Sequence, residues 1–308
     1  MGIKILNSEK VFIIFSTALF GDVILCNSLC QNIKHFIPDS KVIMVVRKEY
    51  KDAALYQKDV DDVVVFDKDG EHKGFWGRIK FVLKFPYKQP YCSITSYYSK
   101  WDVRLSKEIG AKHIQSIKTR EIDTWIQRRN VSLFEKLLGK SCIDFPNEYI
   151  VSKELPCHIK NVLKDNEKYI GLCTLSSRTV KDMPIDLACE IIRQINEKGY
   201  KTLFFGSGAA SVEYSKNLKN RKSNFIDLTN KTTISELASV LKNCEALISV
   251  DTGVMHMGCA VKTPTVAVFY EEENIEWWAP RPEIYKSKII FGDYRSELIV
   301  ESALDLIK

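Results

Sequence analysis

The chain has little of what interrupts or cross-links a fold. Its 308 residues include 9 prolines and 14 glycines and no low-complexity segment. A fibrous or disordered chain is excluded, and a globular one of about two domains is expected. No C-x-x-C pair occurs among the nine cysteines, at 26, 30, 92, 142, 157, 173, 189, 244 and 259. Most lie inside apolar runs, as reduced, buried thiols of a cytosolic protein do, so neither a disulfide framework nor a zinc site is expected. Runs of five or six like charges are absent, and the formal charge is only +6. That excludes a nucleic-acid-binding tail, while a mildly positive surface suits anionic small molecules or an anionic membrane face. Long hydrophobic runs are missing too. Residues 11–21, VFIIFSTALFG, follow Lys4 and Lys10 and look like a signal-peptide core. The run is too short to span a bilayer, and it leads to Asp22 and a further apolar run instead of a small-residue cleavage site. It is expected to be a buried strand entering a turn. The first strand also lacks G-x-G-x-x-G, and GSGAAS at 206–211 follows a later strand without the full spacing, which argues against an NAD-dependent dehydrogenase.

What is present is an alternation. Short Val/Ile runs at 11–15, 41–46, 61–67 and 91–96 are separated by helical patterns at 22–36, 50–57 and 74–85. The pattern restarts after a polar, proline-bearing stretch at 145–168. Strands are expected at 168–175, 201–208, 246–251 and 264–270, with helices at 184–199, 233–244 and 296–307. Nearly continuous apolar strands between helices mark parallel sheets covered on both faces. The expected class is α/β with two doubly wound halves, residues 1–150 and 151–308. The last helix is one that could pack back on the N-terminal half. Thr233 and Glu236 have the spacing of a capping box.

Ligands of such sheets bind beyond the carboxyl ends of the strands. SVDTGVMH delivers Asp251 to such an end, with Thr252 and Gly253 in the turn and a short helix at 254–260. The N–H groups and positive dipole end of that helix form a ready anion site, and His256 lies one turn in. The plainer alternative makes Asp251 an N-cap and His256 a packing residue. SSRTVKDMP at 176–184 gathers two hydroxyls, an arginine and a lysine before a helix, which is phosphate chemistry or else a solvated charged loop. Asp22 heads the first helix, either as a dipole-favoured helix-start residue or as a general base.

These stretches carry a resemblance. ALFGDVIL, DVDDVVVFD, SSRTVKDMP, EWWAPR and the long block KTTISELASVLKNCEALISVDTGVMHMGCAVKTPTVAVF occur in order and with compatible spacing across both halves. The sequence resembles the bacterial lipopolysaccharide heptosyltransferase family, two-domain GT-B-fold enzymes whose Rossmann-like domains face a central cleft. The resemblance implies inverting, metal-independent transfer of a sugar from a nucleotide donor, typically ADP-heptose, to an anionic glycolipid acceptor on growing lipid A–core. It implies an N-terminal acceptor-binding domain and a C-terminal donor-binding one. By position, Asp22 would be the catalytic base. Ser176, Ser177 and Lys181 would hold the donor phosphates, and Asp251, Thr252, Gly253 and His256 the sugar–diphosphate end. Glu213 would hold the ribose and Thr232 would sit against the adenine. No D-x-D pair is placed to hold a metal, and no cofactor is implied.

On the acceptor side, SYYSKWDVRL at 96–105 offers Lys100 and Arg104, or else a core-facing helix with surface cations. Arg120, Arg128 and Arg129 would add a basic approach face for peripheral contact with the inner-membrane surface from the cytoplasm. No nucleic-acid partner is implied. Three departures from the family pattern stand out: Glu271-Glu272-Glu273-Asn274 in place of Gly-Pro-Thr-Asp-Pro, Met183 in place of tryptophan, and a missing proline near Ser28. They leave open transfer from a different nucleotide sugar. An epimerase of the same fold, or a sugar-nucleotide binder without turnover, are the readings of other classes.

Overall fold

The computed structural model describes residues 10–97, 99–118, 124–151, 155, 157–164 and 166–308. They divide into two compact units, and the chain passes to the second after Phe145, slightly before the boundary read from the sequence. Residues 124–126 also belong to the second unit, where Trp125 packs with Cys259 and Tyr285.

The first unit holds strands β1 (Lys10–Ser16), β2 (Ser40–Val46), β3 (Asp62–Val65), β4 (Cys92–Thr95) and β5 (His113–Ser116). All neighbours are parallel, in the order β3-β2-β1-β4-β5. Its helices are α1 (Phe20–Ile24), α2 (Asn27–Phe36), α3 (Lys51–Leu55), α4 (Gly74–Lys84), α5 (Lys100–Glu108) and α6 (Ile126–Leu138). The central strands are buried on both faces: Phe12, Ile13, Ile14 and Phe15 of β1 and Val42 to Val46 of β2 are all fully enclosed. Such two-sided burial is why these strands read as unbroken apolar runs. The helix expected over 22–36 is two helices with a break at Leu25–Cys26, so Asp22 sits in a single short turn.

The second unit contains α7 (Cys157–Lys160), β6 (Tyr169–Cys173), α8 (Ile185–Glu197), β7 (Lys201–Phe205), α9 (Gly208–Asn220), β8 (Ile226–Asp227) and α10 (Ile234–Lys242). It continues through β9 (Ala246–Val250), α11 (Gly253–Ala260), β10 (Thr265–Val268), α12 (Glu272–Trp278), β11 (Ser287–Ile290) and α13 (Ser296–Ile307). The sheet is parallel, in the order β11-β10-β9-β6-β7-β8. Pro184 stands at the N-cap of α8, and Gly199 ends that helix with a φ of +84°, a left-handed residue that glycine adopts without strain. Thr233 and Glu236 form the expected capping box on α10. The closing helix α13 packs in this unit against α8, β9, β10 and β11. Its Ile299, Val300 and Ala303 join Ile191, Ile195 and Ile248 in one core.

Candidate functional site

In the second sheet the chain starts at β6, builds outward through β7 and β8, then returns to add β9, β10 and β11 on the other side. The order therefore reverses between β6 and β9, the switch point at which doubly wound sheets leave a crevice. The loop after β6 and the turn after β9 are brought side by side there. Lys181 and Asp251, 70 positions apart, form an ion pair across it, with side chains only 12% and 7% exposed.

The loop after β6 is self-supporting. The Ser176 N–H donates to Asp182 Oδ1 at 2.8 Å, and the Met183 N–H donates to the Thr174 carbonyl at 2.8 Å. Ser176 Oγ accepts from the Arg178 N–H at 3.0 Å and donates to the Arg178 carbonyl at 3.1 Å, so this hydroxyl is already engaged by the loop. Ser177 is exposed, and a single 3₁₀ turn, Thr179–Lys181, aims Lys181 at Asp251. After β9, Thr252 is the N-cap of α11 with extended backbone, and its hydroxyl makes no capping bond. Gly253 opens the helix. Deeper in, a methyl group on Gly258 would lie 2.5 Å from the Leu247 side chain, so glycine lets α11 settle closely on β9. The helix thus points its N-terminal N–H groups beyond the sheet edge, where a dipole of roughly half a charge favours anions.

Electrostatics follow from burial. The Asp251 carboxyl is raised by burial, opposed by Lys181; Glu271 adds to the rise and Arg178 opposes it. His256 is buried and held down to about 3, by burial first and then by the Lys181 charge, so its imidazole is neutral across the physiological range. It lies 6.5 Å, centroid to centroid, from the Trp278 ring. Arg178 pairs with Glu271 at 3.1 Å, and Glu271 also accepts from Asn274 at 2.6 Å. The acidic departure at 271–274 thus ties the loop after β10 to the loop after β6. The other two departures lie in the interior: Met183 belongs to the core beneath α8, and Ser28 is fully buried in α2.

Glu213 and Thr232 belong to the segments that follow β7 and β8. Glu213 is exposed on the second turn of α9, and Thr232 is half-buried just ahead of α10. Among the described residues, no cluster of three or more His, Cys, Asp or Glu side chains is placed to hold a metal ion.

In the first unit the order reverses between β1 and β4. Asp22 lies on α1, just beyond β1, and its Oδ2 accepts from the Leu19 N–H at 2.9 Å. Burial pushes its carboxyl up to about 6 against that hydrogen bond. A second carboxylate, Asp102 on α5, is 1% exposed, and burial raises it to about 6 also. Both its oxygens accept from Thr17 Oγ1, at 2.8 and 3.1 Å. Asp102 therefore ties the start of α5 to the β1–α1 turn that carries Asp22. Sequence reading missed it. The available signal was Ser99-Lys100-Trp101-Asp102, a cap pattern in which Ser99 does accept from the Asp102 N–H while the carboxylate turns elsewhere.

The other expected basic residues are mostly spoken for. Lys100 is exposed at the start of α5, but Arg104 pairs with Glu108 at 3.0 Å, and Glu108 also takes Arg78 at 3.2 Å. Arg128 bridges Glu135 at 2.6 Å and Asp144 at 3.3 Å, Arg129 lies on the same helix, and Arg120 lies outside the described residues. A cavity of about 430 Å³ past the ends of β2 and β3 was not anticipated; Arg47, Lys48 and Lys68 line it together with Glu49, Asp67 and Asp69, and Arg47 pairs with Glu49 at 3.3 Å and Asp69 at 3.7 Å.

Comparison with solved structures defines the class. The chain matches a family 9 glycosyl transferase from Veillonella parvula with a TM-score of 0.84 and 19% identity, covering 97% of each chain. It matches the Escherichia coli heptosyltransferase WaaC with ADP with a TM-score of 0.78 and 16% identity, covering 96% of this chain and 99% of that one. The fold is the two-sheet α/β GT-B fold. The family model for glycosyltransferase family 9 (heptosyltransferase) matches residues 105–294, and the chain belongs to that family. Among curated relatives, lipooligosaccharide heptosyltransferase 2 of Campylobacter jejuni is 29% identical over 113 residues, so that this chain spans 35% of its length. Lipopolysaccharide heptosyltransferase 3 of E. coli is 22% identical over 288 residues, covering 83% of this chain and 81% of that one.

Proposed function

We propose that this chain is an inverting glycosyltransferase that moves heptose from ADP-heptose onto a sugar of a lipopolysaccharide core or a related surface glycan. The observation that carries the reading is the Lys181–Asp251 pair at the sheet's switch point, beside the N-terminus of α11. A largely enclosed cation next to a helix N-terminus suits a diphosphate, and a carboxylate beside it suits sugar hydroxyls. On binding, Lys181 and the α11 N–H groups neutralise the leaving diphosphate, while Asp251 turns to the sugar. Thr252 and Ser177 add hydroxyl contacts, Gly253 admits the ligand to the backbone, and neutral His256 gives a hydrogen bond without a charge. Ser176 shapes the loop. Glu213 and Thr232 take the ribose and adenine.

Asp22 is the base. It takes the proton of the acceptor hydroxyl as that oxygen attacks the anomeric carbon opposite the diphosphate; the anomeric C–O bond breaks and ADP leaves, so configuration inverts. A carboxyl raised to about 6 by burial is ionised at neutral pH yet basic enough for the task. The anionic acceptor meets Lys100. Because that acceptor is lipid-linked, the protein works in peripheral contact with the cytoplasmic face of the inner membrane.

A thermal-shift panel tests the donor. ADP and ADP-heptose should stabilise the protein while UDP, GDP and CDP compounds do not. Stabilisation only by a uridine or guanosine nucleotide overturns the heptosyl assignment.

A further inference from the structure

Helix α4 is apolar on two sides. Phe81, and Phe85 at its C-cap, face the core of the first unit with Ile13, Val45 and Leu105. On the opposite side Trp76 is 78% exposed and Leu83 74% exposed. At 3.6 residues per turn, Trp76, Lys80, Leu83 and Lys84 share that outer side, so the tryptophan and leucine are flanked by exposed lysines. The patch continues onto α5. Phe75 is 58% and Trp101 53% exposed, and the Arg78 guanidinium lies 5.3 Å from one ring and 5.7 Å from the other, holding the two helices' aromatics together. Hydrophobic side chains scattered singly on a surface need no explanation, but a cluster of two tryptophans, a phenylalanine and a leucine does.

Charge identifies what covers it. Residues 72–101 contain five lysines and Arg78, and no aspartate or glutamate. Two acidic residues border the face: Glu71, just before the helix, pairs with Lys80 at 2.9 Å, and Glu108, at the end of α5, pairs with Arg78 at 3.2 Å. Tryptophan and phenylalanine favour the boundary between headgroup and acyl chain, and lysines beside them reach anionic headgroups. We propose that the outer face of α4, with the adjoining start of α5, is the surface by which this protein docks on an anionic lipid bilayer. This moves the membrane-facing role away from α6, whose Arg128 is committed to Glu135 and Asp144. The inference rests on the glycolipid-acceptor reading for its purpose, but the α4 face itself holds neither donor nor acceptor.

Flotation with vesicles of phosphatidylcholine alone, or of phosphatidylcholine with phosphatidylglycerol, tests it. The wild type should float with the anionic vesicles and not with the neutral ones. Lys80→Gln with Lys84→Gln should lower partitioning roughly 25-fold, about fivefold per lysine. Trp76→Ser with Leu83→Ser should lower it by roughly tenfold or more. Unchanged ADP affinity and circular dichroism in these variants keep the result separate from misfolding and from failure of the donor reading. Brominated phosphatidylglycerol should quench more fluorescence in the wild type than in Trp76→Phe. The proposal is overturned if the wild type stays with the unbound fraction, if both double variants float as the wild type does, or if quenching is the same without Trp76. It is equally overturned if the patch variants leave flotation unchanged and convert a dimer to a monomer in sedimentation, since the face then meets a second copy of the chain.

Discussion

Replacing Lys181 by methionine keeps most of the apolar stem of its side chain and removes the charge, which leaves Asp251 buried without its partner. The cost can be bounded from two sides. Breaking a buried ion pair by removing one member typically costs about 3–5 kcal/mol. The alternative open to Asp251 is to take up a proton. From an ordinary pKa of 3.8, that costs about 4 kcal/mol at pH 7 and about 2 kcal/mol at pH 5. A loss of about 4 kcal/mol at neutral pH is therefore expected. The sign with pH follows: removing Lys181 raises the folded carboxyl further, and a raised carboxyl is tolerated below its unfolded value and penalised as pH climbs through the folded one. The deficit against wild type should grow from pH 5 to pH 7. With 167 residues in the second unit, it corresponds to a fall of roughly 8–16 °C in Tm. Urea unfolding followed by Trp125, Trp277 and Trp278, in a background with Trp76→Phe and Trp101→Phe, reads the second unit alone. Adding Asp251→Asn should restore most of the loss. A deficit below about 1 kcal/mol that is equal at both pH values would refute the reasoning.

Asp22→Asn should lower kcat by about 10²–10⁴-fold with unchanged calorimetric affinity for ADP, and near-normal turnover would remove Asp22 as the base. In the wild type, log kcat/KM should fall with unit slope below about pH 6, because the raised carboxyl loses its basic form as pH falls through that value. Asp102, also raised to about 6, stabilises the fold at low pH and loses that contribution as pH rises; Asp102→Asn should gain about 3 kcal/mol on the wild type between pH 4 and pH 8 in urea titrations. Glu271→Gln frees Arg178 from a partly exposed pair and should tighten ADP binding by up to about fivefold by calorimetry; unchanged or weaker binding would mean that Arg178 does not meet the diphosphate.

Much of this architecture was written locally. The Val/Ile runs of β1, β2, β6 and β9 are legible because a central parallel strand is buried on both faces, and α8 and α10 are legible from their caps and periodicity. Short half-buried edge strands such as β5 and β8 carry too little apolar pattern to be seen, and the break between α1 and α2 has no proline or glycine to mark it. The candidate loops were legible as positions after strands, and the acidic run at 271–274 as an oddity without a partner. Sequence by itself determined which segments are strands, which residues stand at their carboxyl ends, and the family to which they belong, since each is encoded over a few neighbouring residues. Strand order is not. Tertiary structure alone placed β6 beside β9, which made one ion pair of Lys181 and Asp251, and β1 beside β4, which gave Thr17 the carboxylate of Asp102, 85 residues away. It also decided that α4 buries one apolar side and leaves the other to solvent, because burial depends on what packs against a helix and not on the helix itself.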